Sequence, residues 1–274
     1  MITKRRKGSG MSAELEEKKQ KLEAKKNAVQ EAYKKSAYKE DFHSWIQNST
    51  WGGPLNAGEF RTVGFSEDEI QQKIEQKKQN DASVRELFWK NLSQQAPFST
   101  NFMCQVHKML YHGIIYFGGM YRFDNVRMDR VAIKPARPEQ IYERMKQMEE
   151  NYRQSPKGVL DILKLNYDIV ITQPFIDGNK TLSRTMMNYE LLNQGYPPLL
   201  FSQPEDKVKY INTLEQSHLT KDLNAFYDFM LSKMQTTLNQ SFNILNSRLV
   251  QEPQKIVSSS SFSAAQAASQ KTYE

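Results

Sequence analysis

A chain of 274 residues with 38% hydrophobic and 11% aromatic side chains can bury a sizeable core, which excludes wholesale disorder. No apolar run approaches the roughly 20 residues that span a bilayer. No apolar segment follows the charged N-terminus, and the single cysteine, Cys104, cannot close an intramolecular disulfide. Residues 1–35 hold 11 basic and 5 acidic side chains, so most of the net charge of +7 sits in one arm, leaving no basic groove that would suit nucleic acid. These features predict a cytoplasmic protein without a transmembrane segment or a specific nucleic-acid partner, with Cys104 as a small buried hydrophobe.

In chain order, residues 1–10 read as a flexible leader rich in Lys, Arg, Gly and Ser. Residues 11–95 read as a charged, helical N-terminal extension. From Ser12 to about Ser44 no Pro or Gly interrupts a helix-favouring composition, and Leu15, Leu22 and Val29 recur every seventh residue, which predicts a helix packed by one thin edge. Gly52-Gly53-Pro54 predicts a break. Ser66, followed by three acidic residues, predicts an N-cap for a helix to about Lys78, with another over Ser83 to Leu92. The stripe Phe102, Met103, Val106, Met109, Leu110 predicts a helix from Thr100 to Tyr116, ended by Gly118-Gly119. Alternation between Met120 and Ile133 predicts a short β-hairpin. Helices follow over 139–152, 159–171, 182–194, 204–217 and 220–250, and the Ser/Ala/Gln-rich residues 251–274 predict a disordered tail. The fold class is mainly α, a helical bundle with one small β-hairpin.

Between two of these helices lies Gln173-Pro-Phe-Ile-Asp-Gly-Asn-Lys-Thr-Leu-Ser-Arg184. A loop feeding a helix N-terminus presents unpaired N–H groups and the positive end of the helix dipole to an anion. Gly178 lets a phosphate approach the backbone, and Asn179 adds a donor at a turn. Asp177 is a hard oxygen ligand suited to Mg²⁺, and Arg184 can reach back as a phosphate clamp. The four histidines, His43, His107, His112 and His218, have no metal-ligand spacing, and His107 is expected to pack or hydrogen-bond within the structure.

The dodecamer resembles the active-site loop of the Fic/Doc (Fido) family, His-x-Phe-x-(Asp/Glu)-Gly-Asn-(Gly/Lys)-Arg-x-x-Arg. Val106-His107-Lys108-Met109-Leu110, Gly119-Met120-Tyr121-Arg122 with Asn125-Val126-Arg127-Met128, and Asn188 to Leu192 with Gly195-Tyr196-Pro197 extend the likeness. The resemblance implies a Fido-like domain over 96–250 that uses ATP and Mg²⁺ to transfer AMP or phosphate to a protein hydroxyl. It implies metal binding by Asp177, phosphate binding by Gly178, Asn179, Lys180 and Arg184, and anchoring of the loop by Phe175. The hairpin would be the family's target-binding flap, carried by Tyr121, Arg122, Val126 and Arg127. Ser36-Ala-Tyr-Lys-Glu40 matches part of the family's inhibitory-helix pattern, with Ser36 and Glu40 in the named positions.

The pattern fails where the general base should stand. Position 173 is glutamine, whose amide has no basic nitrogen, and Thr181 replaces an arginine. Two readings stay open: a weakened transferase acting on a protein hydroxyl, or a catalytically inactive Fido pseudoenzyme that binds nucleotide or a protein partner. A secreted effector without a cleavable signal, and a homo-oligomer, are compatible with either.

Overall fold

The computed structural model describes residues 12–48, 55, 57–62, 64–93, 98–128, 131–201 and 203–246. The expected leader at 1–10, the break at Gly52-Gly53-Pro54 and the tail from 251 lie outside these residues. Ten helices and no strand occur among the described residues, so the fold is all-helical.

Helix α1 (Ala13–Lys35) starts at Ser12, whose side chain accepts the Leu15 N–H, and its apolar edge of Leu15, Leu22 and Val29 is buried against α10 (Asn224–Asn246). The expected helix to Ser44 is broken in two. Ser36 Oγ takes the Tyr38 N–H at 2.9 Å and donates to the Leu245 carbonyl, so a local side-chain bond replaces the helical one. Helix α2 (Lys39–Asn48) then turns back along α10. Gly58-Glu59-Phe60-Arg61 lies on the short helix α3 (Ala57–Thr62), where Arg61 pairs with Glu67 at 2.6 Å.

The two helices expected over 67–92 are one, α4 (Glu67–Ser93). Pairs at i,i+4 spacing, Gln76 with Asn80 and Lys77 with Asp81, carry it through a stretch that has no breaker. Helix α5 (Thr100–Leu110) stops six residues earlier than its apolar stripe suggests. The buried Asn80 side chain donates to the carbonyls of Leu110 and His112, at 3.2 and 2.9 Å, and Gly113 turns at φ +71°.

The expected hairpin at 120–134 is absent: its described residues contain no strand, and Asp129 and Arg130 lie outside them. The backbone groups that a ladder would use are bonded elsewhere. The Arg122 N–H donates to the Pro174 carbonyl at 2.9 Å, the Arg122 guanidinium takes the carbonyls of Asp124 and Ala136, and the Ala132 N–H is held by Glu215.

Helices α6 (Pro138–Gln154), α7 (Val159–Thr172), α8 (Asn179–Asn193) and α9 (Pro204–Thr220) complete the bundle. α7 and α8 are buried on most of their circumference, and they pack on each other at the centre. α6 and α10 cover α7, while α4 and α5 cover α8. Some interior polar side chains tie the bundle together: Tyr152 donates to Glu190 at 2.6 Å, and Asn188 holds both backbone groups of Leu199. The loop from 173 to 178 therefore joins the two most buried helices of the molecule.

Candidate functional site

Gln173 follows α7 in the left-handed region, at φ 49° and ψ 63°, a conformation that side chains other than glycine rarely adopt. Three bonds hold it there. Its N–H donates to the Ile169 carbonyl at 3.0 Å, and its carbonyl accepts from Arg122 Nε at 2.7 Å. Its side-chain Nε2 donates to the Val170 carbonyl at 2.7 Å, so the amide is folded back onto the end of α7 and is buried. In this arrangement the residue acts as a helix cap.

Phe175 is completely buried and anchors the loop. Its ring stacks on His107 with centroids 3.9 Å apart and planes 7° from parallel, and Tyr121 packs beside it at 5.6 Å. Asn179 closes the loop over Phe175: its Oδ1 accepts the Phe175 N–H at 2.9 Å and its Nδ2 donates to the Phe175 carbonyl at 2.8 Å. Both ends of the Asn179 amide are thus engaged with the backbone of Phe175.

His107 connects the loop to the segment that follows α5. The Gly119 N–H donates to Nδ1 at 2.9 Å, so Nε2 carries the ring proton and donates to the Asp177 carbonyl at 3.0 Å. Burial pushes the His107 pKa down to about 4, and the ring is neutral at physiological pH. Because the folded value lies below the ordinary 6.5, stability from this group is fully present above pH 6.5 and is lost as pH falls through about 4. A shift of this size amounts to about 3 kcal/mol. In metal-free buffer, denaturant midpoints at pH 7, 5.5 and 4.5 should fall more steeply for the native chain than for His107→Gln. Parallel slopes would show that the imidazole does not titrate in this range.

Asp177 is exposed, and its Oδ1 accepts the adjacent Gly178 N–H at 2.6 Å. No group of three or more His, Cys, Asp or Glu able to hold a metal occurs among the described residues. The single exposed carboxylate of Asp177 is a hard oxygen donor that would suit Mg²⁺. Gly178 caps α8 at φ +77° without a side-chain bond, which leaves the helix's positive end open to an anion. A Cβ at Gly178 would lie 2.3 Å from Tyr111 Cε2, so the glycine is required by the packing of Tyr111 as well as by its backbone angle.

Lys180 is exposed on the first turn of α8. Thr181 shares a side-chain hydrogen bond with Tyr111, whose hydroxyl pKa is raised chiefly by burial. Arg184 is half-buried one turn further on, with Cζ 5.7 Å from the Phe201 ring centroid, and burial lowers its pKa. The structure thus brings Gln173, Phe175, Asp177, Gly178, Asn179, Lys180 and Arg184 onto one loop and the helix it feeds. Of the segment expected to form a flap, Tyr121 and Arg122 lie against this loop, Val126 is half-buried and Arg127 exposed. Ser36 and Glu40 lie elsewhere: Ser36 is bonded to the end of α10, and Glu40 is exposed on α2, which packs on α10.

Tyr111 was not marked by the sequence as part of this region, since its place at the end of an amphipathic stripe reads as ordinary core. Asn80 and Lys77 lie about a hundred residues upstream of the motif, and only the packing of α4 on α5 and α8 brings them near.

Residues 97–191 match the model of the Fic/DOC family. A "Protein adenylyltransferase Fic" of Drosophila erecta is 34% identical over 74 residues, which cover 27% of this chain and 14% of the relative. The "Protein adenylyltransferase fic-1" of Caenorhabditis elegans is 25% identical over 125 residues, covering 41% of this chain and 24% of that protein. The match thus spans less than a quarter of the length of these curated relatives. Among solved structures, a Fic domain containing signaling protein from Bacteroides thetaiotaomicron superposes with a TM-score of 0.63 at 17% identity, over 84% of this chain and 98% of that one. Fic-1 from C. elegans superposes at 0.57 and 16% identity, over 84% and 72% of the two chains. The fold is Fic-like, and residues 97–191 are similar to the Fic/DOC family.

Proposed function

We propose that the chain binds ATP with Mg²⁺ at the start of α8 and transfers AMP or phosphate to a protein hydroxyl at a rate weakened by the loss of its general base. The observation that carries this reading is the loop itself. An uncapped helix N-terminus, the exposed Asp177 carboxylate, Lys180 and the Arg184 guanidinium lie on one short stretch, held by Asn179, His107 and Arg122. Asp177 would hold the metal. The backbone at Gly178–Asn179, with Lys180 and Arg184, would hold phosphates.

The weakening follows from Gln173. A carboxamide does not accept a hydroxyl proton at neutral pH, and here it is also committed to the Val170 carbonyl. That inward turn favours the second reading, a pseudoenzyme that binds nucleotide without transfer. A protein partner suits both readings. Tyr116, Met120 and Phe123 are 94, 60 and 66% exposed beside the loop, with Ile176 of the loop itself also exposed. Phe117 sits between Tyr116 and Phe123 in edge-to-face contact with each, giving an apolar surface next to the site.

Calorimetric titration of the full chain with ATP tests the site. Saturable binding that requires Mg²⁺ is expected, weakened at least tenfold by Asp177→Ala. Absence of binding at millimolar ATP, or affinity unchanged by Asp177→Ala and by Arg184→Ala, would remove the proposed phosphate site.

A further inference from the structure

Thr181 stands where the family pattern has an arginine, so α8 itself carries one cation fewer at this site. The packing around Thr181 brings one from elsewhere. Thr181 bonds to Tyr111, and the Tyr111 ring lies against Gly178. Lys77 of α4 places its ammonium 5.9 Å from the centroid of that same ring. Its side chain is only 4% exposed. The groups that bear on Lys77 are Asp81 and Arg85 from its own helix, Tyr111 from α5 and Arg184 from α8. Asp81 forms an ion pair with it, but Arg85 draws on the same carboxylate, so two cations share one anion.

As a stabilising device this cluster is poor. Burial lowers the pKa of Lys77 and of Arg85, and Arg184 lowers that of Lys77 further, so the surroundings oppose the charge that the lysine carries. A buried ion pair of this kind contributes little net stability compared with apolar side chains of the same volume. Its excess of positive charge is what a polyanion arriving at the adjacent helix N-terminus would neutralise, and the burial of Lys77 leaves its field less screened than that of a surface cation.

We propose that Lys77, which lies outside the segment matched by the family, supplies the positive charge at the phosphate site that Thr181 does not. The inference rests on the ATP-binding reading above and assigns α4 a part in that site. Lys77 acts through its field from behind Tyr111, as a residue that sets the strength and charge preference of phosphate binding. A nucleoside triphosphate is therefore favoured over a nucleoside.

The test uses Lys77→Met, which removes the charge, and Lys77→Arg, which keeps it. The double variant Lys77→Met with Asp81→Asn removes one charge of each sign and controls for the stranded Asp81 carboxylate. Each full-length protein is checked for native folding by thermal denaturation and then titrated with Mg–ATP and with adenosine. Lys77→Met should bind Mg–ATP about tenfold more weakly or worse, and the double variant, whose net charge is that of the native chain, should lie closer to the native affinity. Adenosine affinity should be unchanged in each, and Lys77→Arg should retain ATP affinity within a few-fold. A folded Lys77→Met variant that binds Mg–ATP as the native chain does would overturn the proposal and leave the site standing. So would an equal loss for adenosine, because it would mark general damage in place of lost charge. A native chain that binds no ATP would sink the site itself, and the role of Lys77 with it.

Discussion

Gln173→His should raise transfer from ATP to protein hydroxyls by about 10²–10⁴-fold, the usual contribution of a positioned general base. The position is well suited to the change. The backbone of residue 173 is fixed by the Ile169 carbonyl on one side and by Arg122 Nε on the other, and neither bond involves the side chain. An imidazole there gives up the amide bond to Val170 and gains a nitrogen that accepts a proton at neutral pH. Because the base must be unprotonated, the gain should grow as pH rises through the imidazole pKa and then level off. Label from ATP marked at the α- or the γ-phosphate, followed onto the chain itself and onto proteins of a lysate, distinguishes AMP transfer from phosphate transfer. If labelling stays at the native level while Mg–ATP still binds, the lost base is not what limits the site and the pseudoenzyme reading stands.

Arg122→Ala carries the largest expected cost to the fold, about 3–5 kcal/mol. The side chain is buried and donates to the carbonyls of Gln173, Asp124 and Ala136, so it ties the motif loop to the segment before α6. Hydrogen bonds from a charged donor contribute roughly 1.5–3 kcal/mol each, and a truncated arginine leaves buried carbonyls without partners. Burial also lowers the Arg122 pKa, which does not bring the guanidinium near neutrality. A fall of this size should appear as a lower urea midpoint with an unchanged m value. The milder change Arg122→Lys keeps the charge but not the planar fork, and should recover only a fraction of the loss. A change below about 1 kcal/mol for Arg122→Ala would mean that water replaces these bonds and the clamp is weak.

The same arginine explains one failure of the sequence reading. Alternation between Met120 and Ile133 has the period of a strand, yet a pattern of period two says only which residues could share a face. It does not say what the backbone groups will bond. Here a side chain and the motif loop take those groups before a partner strand can. The early end of α5 has a similar cause, because Asn80, from a helix some thirty residues upstream, takes the last carbonyls. Ser36 breaks the first helix through a bond to Leu245 at the far end of the chain.

What the sequence determined by itself is local or periodic. The edge of Leu15, Leu22 and Val29, the buried α7 and the dodecamer between two helices could all be read from spacing and residue chemistry. That position 173 carries a carboxamide without a basic nitrogen was also plain, because it depends on a functional group and not on geometry. Tertiary structure decided how the loop is held and which charges surround it. The Gln173 amide turns inward, Asn179 serves Phe175, His107 is fixed in one tautomer between Gly119 and Asp177, and Lys77 arrives behind Tyr111. Each of these depends on a hydrogen bond or a desolvated contact that is short in space. The Gln173 and Asn179 bonds are local, but other side-chain choices compete for the same groups. The contacts of His107 and Lys77 join residues far apart in the chain, which leave no periodicity or local composition that could announce them.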